Sequence, residues 1–254
     1  MLATFHFTSK ALTGEQAVQI ILPDKLKYVR NERVPVLYLL HGMWGDYTNW
    51  TRYTALERYA QAYNLAVVMP SGLNSFYHDL PGALRFEEYV AEELPQVIGN
   101  LLPVSDKREE NFIAGLSMGG YGAFYLGLRH SEQYSCIGSF SGPLDFYTGV
   151  KEGRYLETSG AEQVNANPFE PLESVDENSD LFRLLQNLPA ENRPALFVSC
   201  GRQDFIYPEF IKMRDFLTRE QIPFTAQDGE GEHNWAYWDR QIQDLLAWLP
   251  LEKS

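Results

Sequence analysis

Short continuous apolar runs alternate along the chain with longer segments in which apolar residues recur every three or four positions. Residues 34–40 (VPVLYLL), 65–70 (LAVVMP), 111–116 (NFIAGL), 134–140 (YSCIGSF) and 194–200 (PALFVSC) are of the first kind. Unbroken runs of this length predict strands buried on both faces of a sheet, since a half-exposed strand would alternate apolar with polar. Two earlier segments, LATFHFT and EQAVQIILP, predict an antiparallel hairpin turning at Gly14, and PFTAQD before residue 229 reads as a strand. Helical spacing marks 84–101, where Phe86, Tyr89, Val90, Leu94, Val97, Ile98 and Leu101 share a face, and 234–249, where Trp238, Ile242, Leu245 and Leu249 do. Pro95 predicts a kink in the first of these, because it has no N–H and its ring meets the carbonyl four residues back. A further helix is expected from Met118 to Arg129. This alternation predicts an α/β fold, with a mostly parallel central sheet and helices on both faces. The stretch 143–190 breaks the pattern with DFYTGVKEGRYLETSG and the acidic ESVDENSD. It reads as a small insertion over the sheet, within a single domain spanning 1–254.

Composition narrows the partners. The chain is 44% apolar, enough for a sizeable core, and carries a net charge of −13. That field repels nucleic acid and anionic membrane surfaces. No apolar run is long enough to span a bilayer. The opening MLATFHFTSKALTGEQ lacks the basic and then apolar regions of a signal peptide. Cys136 and Cys200 both lie inside apolar runs, which favours buried free thiols in a cytoplasmic protein over a disulfide. The cysteines are far apart, and neither HExxH, GxGxxG nor a P-loop is present. No metal or other cofactor is expected. The expected partner is a small molecule; whether the chain forms a homo-oligomer is left open.

The chemistry concentrates in NFIAGLSMGGYGAF. Gly-x-Ser-x-Gly alone is a modest signal, but here it follows a buried strand and opens a helix, the setting of a nucleophile elbow. On such a turn Ser117 takes a strained backbone and holds its hydroxyl out. Gly115 and Gly119 leave room where a side chain would collide, and the helix N-terminus aims free N–H groups at a developing oxyanion. A nucleophilic serine needs a base. His6 lies in the first strand, His41 ends the third, His78 sits in a loop before the elbow, and His130 is at the far end of the helix that Ser117 starts. His233, in the turn DGEGEHNW before the last helix, remains. The acid should lie between 117 and 233 near a strand end. Asp204, in CGRQDF, is the best placed, with Asp228 and Asp145 as the other candidates. For the oxyanion, one N–H is that of Met118, after the nucleophile; the other is expected from the loop after the third strand, from Met43 or else Trp44.

Taken together, LYLLHGMWGDYTNW, LAVVMPSGLNSFYHD, YVAEELPQVI, NFIAGLSMGGYGAF, CGRQDF and EHNWAYW resemble the bacterial tributyrin esterase family, within the esterase D and S-formylglutathione hydrolase group of α/β-hydrolases. The resemblance runs from about residue 15 to 249. It implies a serine carboxylesterase acting on short-chain acyl esters, with Ser117, Asp204 and His233 as the triad and Met43 and Met118 as oxyanion donors. Trp44, Tyr77, His78 and Trp235 lie on loops at the carboxyl ends of strands, where open α/β sheets bind ligands, or beside the expected triad, and are the candidate substrate contacts. The bulk of Met43, Trp44, Met118 and Trp235 predicts a short acyl pocket. The same triad would also serve an S-formylglutathione hydrolase or other thioesterase, a feruloyl or acetyl-sugar esterase, or an acyltransferase. A non-catalytic binding protein on this fold would be expected to lack a triad member.

Overall fold

Eight strands form one mixed sheet in the computed structural model, which describes residues 1–24, 33–80, 82, 84–154 and 175–251. They are β1 (Leu2–Ser9), β2 (Gly14–Ile21), β3 (Val36–Leu40), β4 (Ala66–Met69), β5 (Asn111–Leu116), β6 (Cys136–Phe140), β7 (Ala195–Gly201) and β8 (Thr225–Gly229). Their order in the sheet is β1-β2-β4-β3-β5-β6-β7-β8. β2 runs antiparallel to both its neighbours; from β4 to β8 all pairings are parallel.

Every residue of β3, β4, β5 and β6 is buried, which is why each reads as an unbroken apolar run. Tyr38, Val68, Ile113 and Val198 face one layer, shared with the helices Leu94–Leu101, Met118–Arg129 and Tyr207–Arg219. Leu37, Leu39, Val67 and Phe112 face the other, shared with the helices Leu56–Ala60 and Trp235–Trp248. Each such side chain contributes roughly 1.5–3 kcal/mol on burial, so both faces are needed to hold the sheet. β8, at the sheet edge, alternates partly buried with exposed positions.

Two details differ from the sequence reading. The hairpin turns before Gly14, which is already paired with Ser9; the residue with positive φ is Thr13 (φ 51°). The turn is fastened by Glu93, whose carboxylate accepts the N–H groups of Lys10 at 2.7 Å and Ala11 at 3.3 Å. In the segment with Pro95, the α-helix Phe86–Glu88 widens into a π-helical turn, Tyr89–Glu93, before resuming as Leu94–Leu101. The wider turn just ahead of the ring relieves the clash and the missing donor that Pro95 would bring to a regular helix.

Within 143–190, residues 155–174 lie outside the described residues. On either side, the helix Phe146–Lys151 stacks Phe146 on Phe76 at 4.0 Å between centroids, and the helix Leu181–Asn187 packs against Met118–Arg129 through buried Leu181 and Leu185. Both lie on one face of the sheet. Among the described residues no helix is long and apolar enough to cross a membrane.

Candidate active site

β5 ends at Leu116, and the helix Met118–Arg129 begins one residue later. Ser117 between them has φ 51° and ψ −122°, a conformation an L-residue adopts only when its surroundings force it. The forcing contacts are visible. Its N–H donates to Phe140 O at 2.8 Å, and its carbonyl accepts from Gly120 and Tyr121, the first bonds of the helix. A Cβ on Gly119 would come 2.6 Å from His41 O, and one on Gly115 would come 2.3 Å from Gly119 O. Without those glycines the helix could not sit this close to β3 and β5.

Three side chains from distant parts of the chain meet at this turn. Ser117 Oγ lies 2.9 Å from His233 Nε2, and His233 Nδ1 lies 2.9 and 3.0 Å from the two carboxylate oxygens of Asp204. A carboxylate on Nδ1 fixes that nitrogen as the donor, which leaves Nε2 free to accept the serine proton. The Asp204 side chain is fully buried. Burial alone would raise its pKa. Hydrogen bonds from His233, the Ile206 N–H and the Ser141 hydroxyl outweigh that and hold it below the ordinary carboxylate range. Ser141 also accepts the indole N–H of Trp238 at 3.2 Å. The loops carrying acid and histidine are tied through their backbones: Arg202 N–H donates to Gly229 O, Gln203 N–H to Gly231 O, and Gln203 Oε1 accepts from Gly231 N–H.

The other two candidate acids are engaged elsewhere. Asp228 pairs with Arg202 at 3.0 Å and accepts from the Tyr207 hydroxyl at 2.6 Å. Asp145 is buried against Arg154 at 2.7 Å and Lys212 at 2.6 Å. Of the three carboxylates, Asp204 is the one that touches His233.

The loop after β3 crosses directly above the serine. A Cβ on Gly42 would lie 3.2 Å from Ser117 Cβ, so glycine permits the approach. Trp44 has φ 64°, and its N–H already donates to Asn74 Oδ1 at 2.8 Å. This argues against Trp44 as the second oxyanion donor and favours Met43. The Met118 N–H, in the first turn of its helix, has no intrahelical acceptor; the Met118 side chain itself is buried in the core rather than facing the cleft. His41 holds this loop from beneath: its Nε2 accepts the Gly72 N–H at 2.8 Å and its Nδ1–H donates to Gly42 O at 2.6 Å. Burial depresses its pKa to about 4, against the hydrogen bond to Gly42 and the charge of Asp46.

The four candidate substrate contacts divide. Trp44 is 78% exposed beside the loop. Trp235 is partly buried, packed against Trp50, Tyr53 and Trp238 with centroids 5.0–5.3 Å apart. Tyr77 and His78 do not line the cleft; both are buried. The Tyr77 ring fills a slot between Gly72 and Gly122, where added Cβ atoms would come within 2.4 and 2.2 Å of it, and its hydroxyl donates to His41 O at 2.9 Å. The His78 ring stacks on Tyr125 at 4.2 Å, and its Nε2 pairs with the Tyr121 hydroxyl at 2.9 Å. Asn74 and Phe205, which the sequence reading passes over, both border the site; Phe205 packs on His233 at 4.6 Å between centroids. Among the described residues no group of three or more His, Cys, Asp or Glu side chains is arranged to hold a metal ion.

Comparison with known proteins agrees with this architecture. The chain is 33% identical over 256 residues to an acetyl esterase of Caldicellulosiruptor saccharolyticus, covering 96% of each. It is similar to two solved Staphylococcus aureus structures. With the fluorophosphonate-binding serine hydrolase F it shares 30% identity and a TM-score of 0.83, covering 98% of each chain. With an S-formylglutathione hydrolase it shares 31% identity and a TM-score of 0.83, covering 98% of this chain and 99% of that one. A family model described as "Putative esterase" matches residues 9–249. A mixed sheet flanked by helices, a serine on a strained strand-to-helix turn and a match over nearly the whole length place the chain in the "Putative esterase" family, as a serine esterase of the α/β-hydrolase fold.

Proposed function

We propose that the whole chain is one hydrolase domain that cleaves short-chain acyl esters, of the kind tributyrin esterases take, through an acyl-enzyme on Ser117. Ser117 Oγ attacks the ester carbonyl while His233 Nε2 takes its proton. Asp204 holds the imidazole in the tautomer that can do so and stabilises its charged form. The N–H groups of Met118 and Met43 receive the oxyanion. His233 then passes the proton to the departing alcohol, and a water activated by the same nitrogen releases the acid. The observation that carries this reading is the unbroken line of hydrogen bonds from Ser117 through His233 to Asp204, all 2.9–3.0 Å. The buried free thiols Cys136 and Cys200 support a reducing, cytoplasmic setting.

The test is labelling with a fluorophosphonate probe, the adduct mapped by mass spectrometry, beside turnover on p-nitrophenyl esters of increasing acyl length. An adduct on Ser117 and highest turnover on the shorter esters are expected; no adduct on fresh protein would refute the reading. A second reading, hydrolysis of a thioester, is favoured by the likeness to the staphylococcal S-formylglutathione hydrolase. Relative kcat/KM on butyrate esters and S-formylglutathione separates the two.

A further inference from the structure

Two aromatic rings flank the His233 imidazole, and their surroundings differ. Trp238 meets it edge-on at 5.0 Å between centroids, is buried, and has its indole N–H bound to Ser141. Phe205 meets it at 4.6 Å, tilted by 45°, and is 70% exposed. Among the described residues, the ring contact recorded for Phe205 is the one with His233. Trp238 is accounted for by core packing; Phe205 instead presents its ring to solvent beside the imidazole, one residue after the buried acid.

The chemistry of acyl transfer gives this place a meaning. The imidazole that takes the serine proton returns it to the departing oxygen. That oxygen must come within hydrogen-bond reach of His233 Nε2, so the carbon chain it carries leaves alongside the imidazole. The acyl chain and the oxyanion occupy other bonds of the tetrahedral carbon, the oxyanion turned toward the loop of Met43. Of the two rings that touch the imidazole, Trp238 is buried and Phe205 is the one open to a departing chain.

We infer that Phe205 is a specificity-determining residue for the alcohol side of the ester, favouring uncharged apolar or aromatic alcohols. The inference rests on the esterase reading above. Charge points the same way. Glu230 and Glu232, both exposed, stand on the loop just before His233, on a chain of net charge −13. They disfavour leaving groups that bear carboxylates, such as glutathione, by like-charge repulsion.

The experiment holds the acyl group constant and varies the alcohol. Wild type, Phe205→Ala and Phe205→Leu are assayed on ethyl acetate, 2-phenylethyl acetate and an acetate ester whose alcohol carries a carboxylate. The wild type is expected to favour 2-phenylethyl over ethyl acetate in kcat/KM and to be poorest on the anionic ester. Phe205→Ala should lower the 2-phenylethyl to ethyl ratio roughly fivefold, the size of one lost aromatic contact, and Phe205→Leu by less. The ratio of p-nitrophenyl butyrate to p-nitrophenyl acetate, which reads the acyl side, should not follow it. An unchanged alcohol ratio in both variants overturns the inference, as does a loss equal on all esters, which would mean that Phe205 only steadies His233. Wild-type protein that neither hydrolyses an ester nor takes the fluorophosphonate label would instead bring down the esterase reading itself.

Discussion

The side-chain oxygen of Asn74 accepts the N–H of Trp44 at 2.8 Å, and in doing so fixes a residue with φ 64° next to the proposed oxyanion donor Met43. Asn74→Ala removes that hold at a buried position, so its thermal midpoint is measured beside the kinetics. The loop should loosen, and kcat should fall by roughly tenfold, less than the 10²–10³ that follows loss of a donor itself. Steady-state kinetics, with KM compared to separate positioning from binding, checks this; a kcat equal to wild type would show that the loop keeps its shape without Asn74.

Ser117→Ala should abolish ester hydrolysis and fluorophosphonate labelling while the thermal midpoint stays within a few degrees, since loss of one hydroxyl leaves no sizeable void. Hydrolysis within tenfold of wild type, with contaminating esterase excluded, would remove Ser117 from the mechanism.

Asp204→Asn keeps the shape but presents the wrong hydrogen-bond partner to His233 Nδ1, and should lower kcat on the order of 10⁴. Asp228→Asn should be mild, because Asp228 is committed to Arg202 and Tyr207. Asp145→Asn should cost stability more than activity, because it leaves Arg154 and Lys212 without their shared carboxylate. Parallel kinetics and urea denaturation of the three variants distinguish these outcomes; a larger loss of kcat in either of the last two would move the acid.

His41 gives a pH dependence with a definite sign. Its pKa is about 4 in the folded protein against 6.5 ordinarily, so the folded state keeps it neutral where the unfolded state would protonate it. Its contribution to stability is therefore complete above pH 6.5 and is lost as pH falls from 6.5 toward 4. His41→Asn should be less stable at pH 7 and flatter across that window, as read from urea midpoints at pH 7, 5.5 and 4.5. Parallel slopes for the two proteins would assign the acid sensitivity to other groups.

In the proposed mechanism acyl length is limited by the pocket walls rather than by Ser117, His233 and Asp204. Each buried methylene contributes about 0.8 kcal/mol until the pocket is full, after which overpacking costs roughly 1–3 kcal/mol. A maximum in kcat/KM at short chains is expected. Trp235 stands one ring behind His233, through Trp238. If its ring forms the wall, Trp235→Ala moves the maximum to longer acyl chains; an unshifted profile across two to ten carbons removes it from the pocket.

Much of this was legible in the amino-acid sequence because burial leaves a plain signature. β3 to β7 are covered on both faces, so their apolar runs mark them without a homologue, and Ser117 is marked by the glycines its turn requires. Tyr77 and His78 were harder to place, because aromatic residues on loops at the carboxyl edge of a sheet look alike whether they face substrate or core. Tyr77 was such a case. Its inward slot is made by Gly72 and Gly122, fifty residues apart, and only the folded chain brings them together. Phe205 is the converse, an apolar residue in a motif whose exposure no pattern of neighbours records. The π-helical turn was foreshadowed by Pro95, but its form depends on how Tyr89, Val90 and Ala91 stay buried while the helix adjusts.

The cross-ties between the loop of Asp204 and the loop of His233 bear on how the enzyme would fail. Because Arg202 is bonded to Gly229 and Gln203 to Gly231, through backbone and side chain, neither loop can peel away without exposing the amides of the other. Asp204 and His233 should then open together, and the amides of the two loops should exchange with deuterium at a common rate. Ser117 is anchored otherwise, by β5, β6 and the helix behind it. Warming short of global unfolding should therefore part His233 from a still well-formed Ser117 turn, and activity should fade before the core melts.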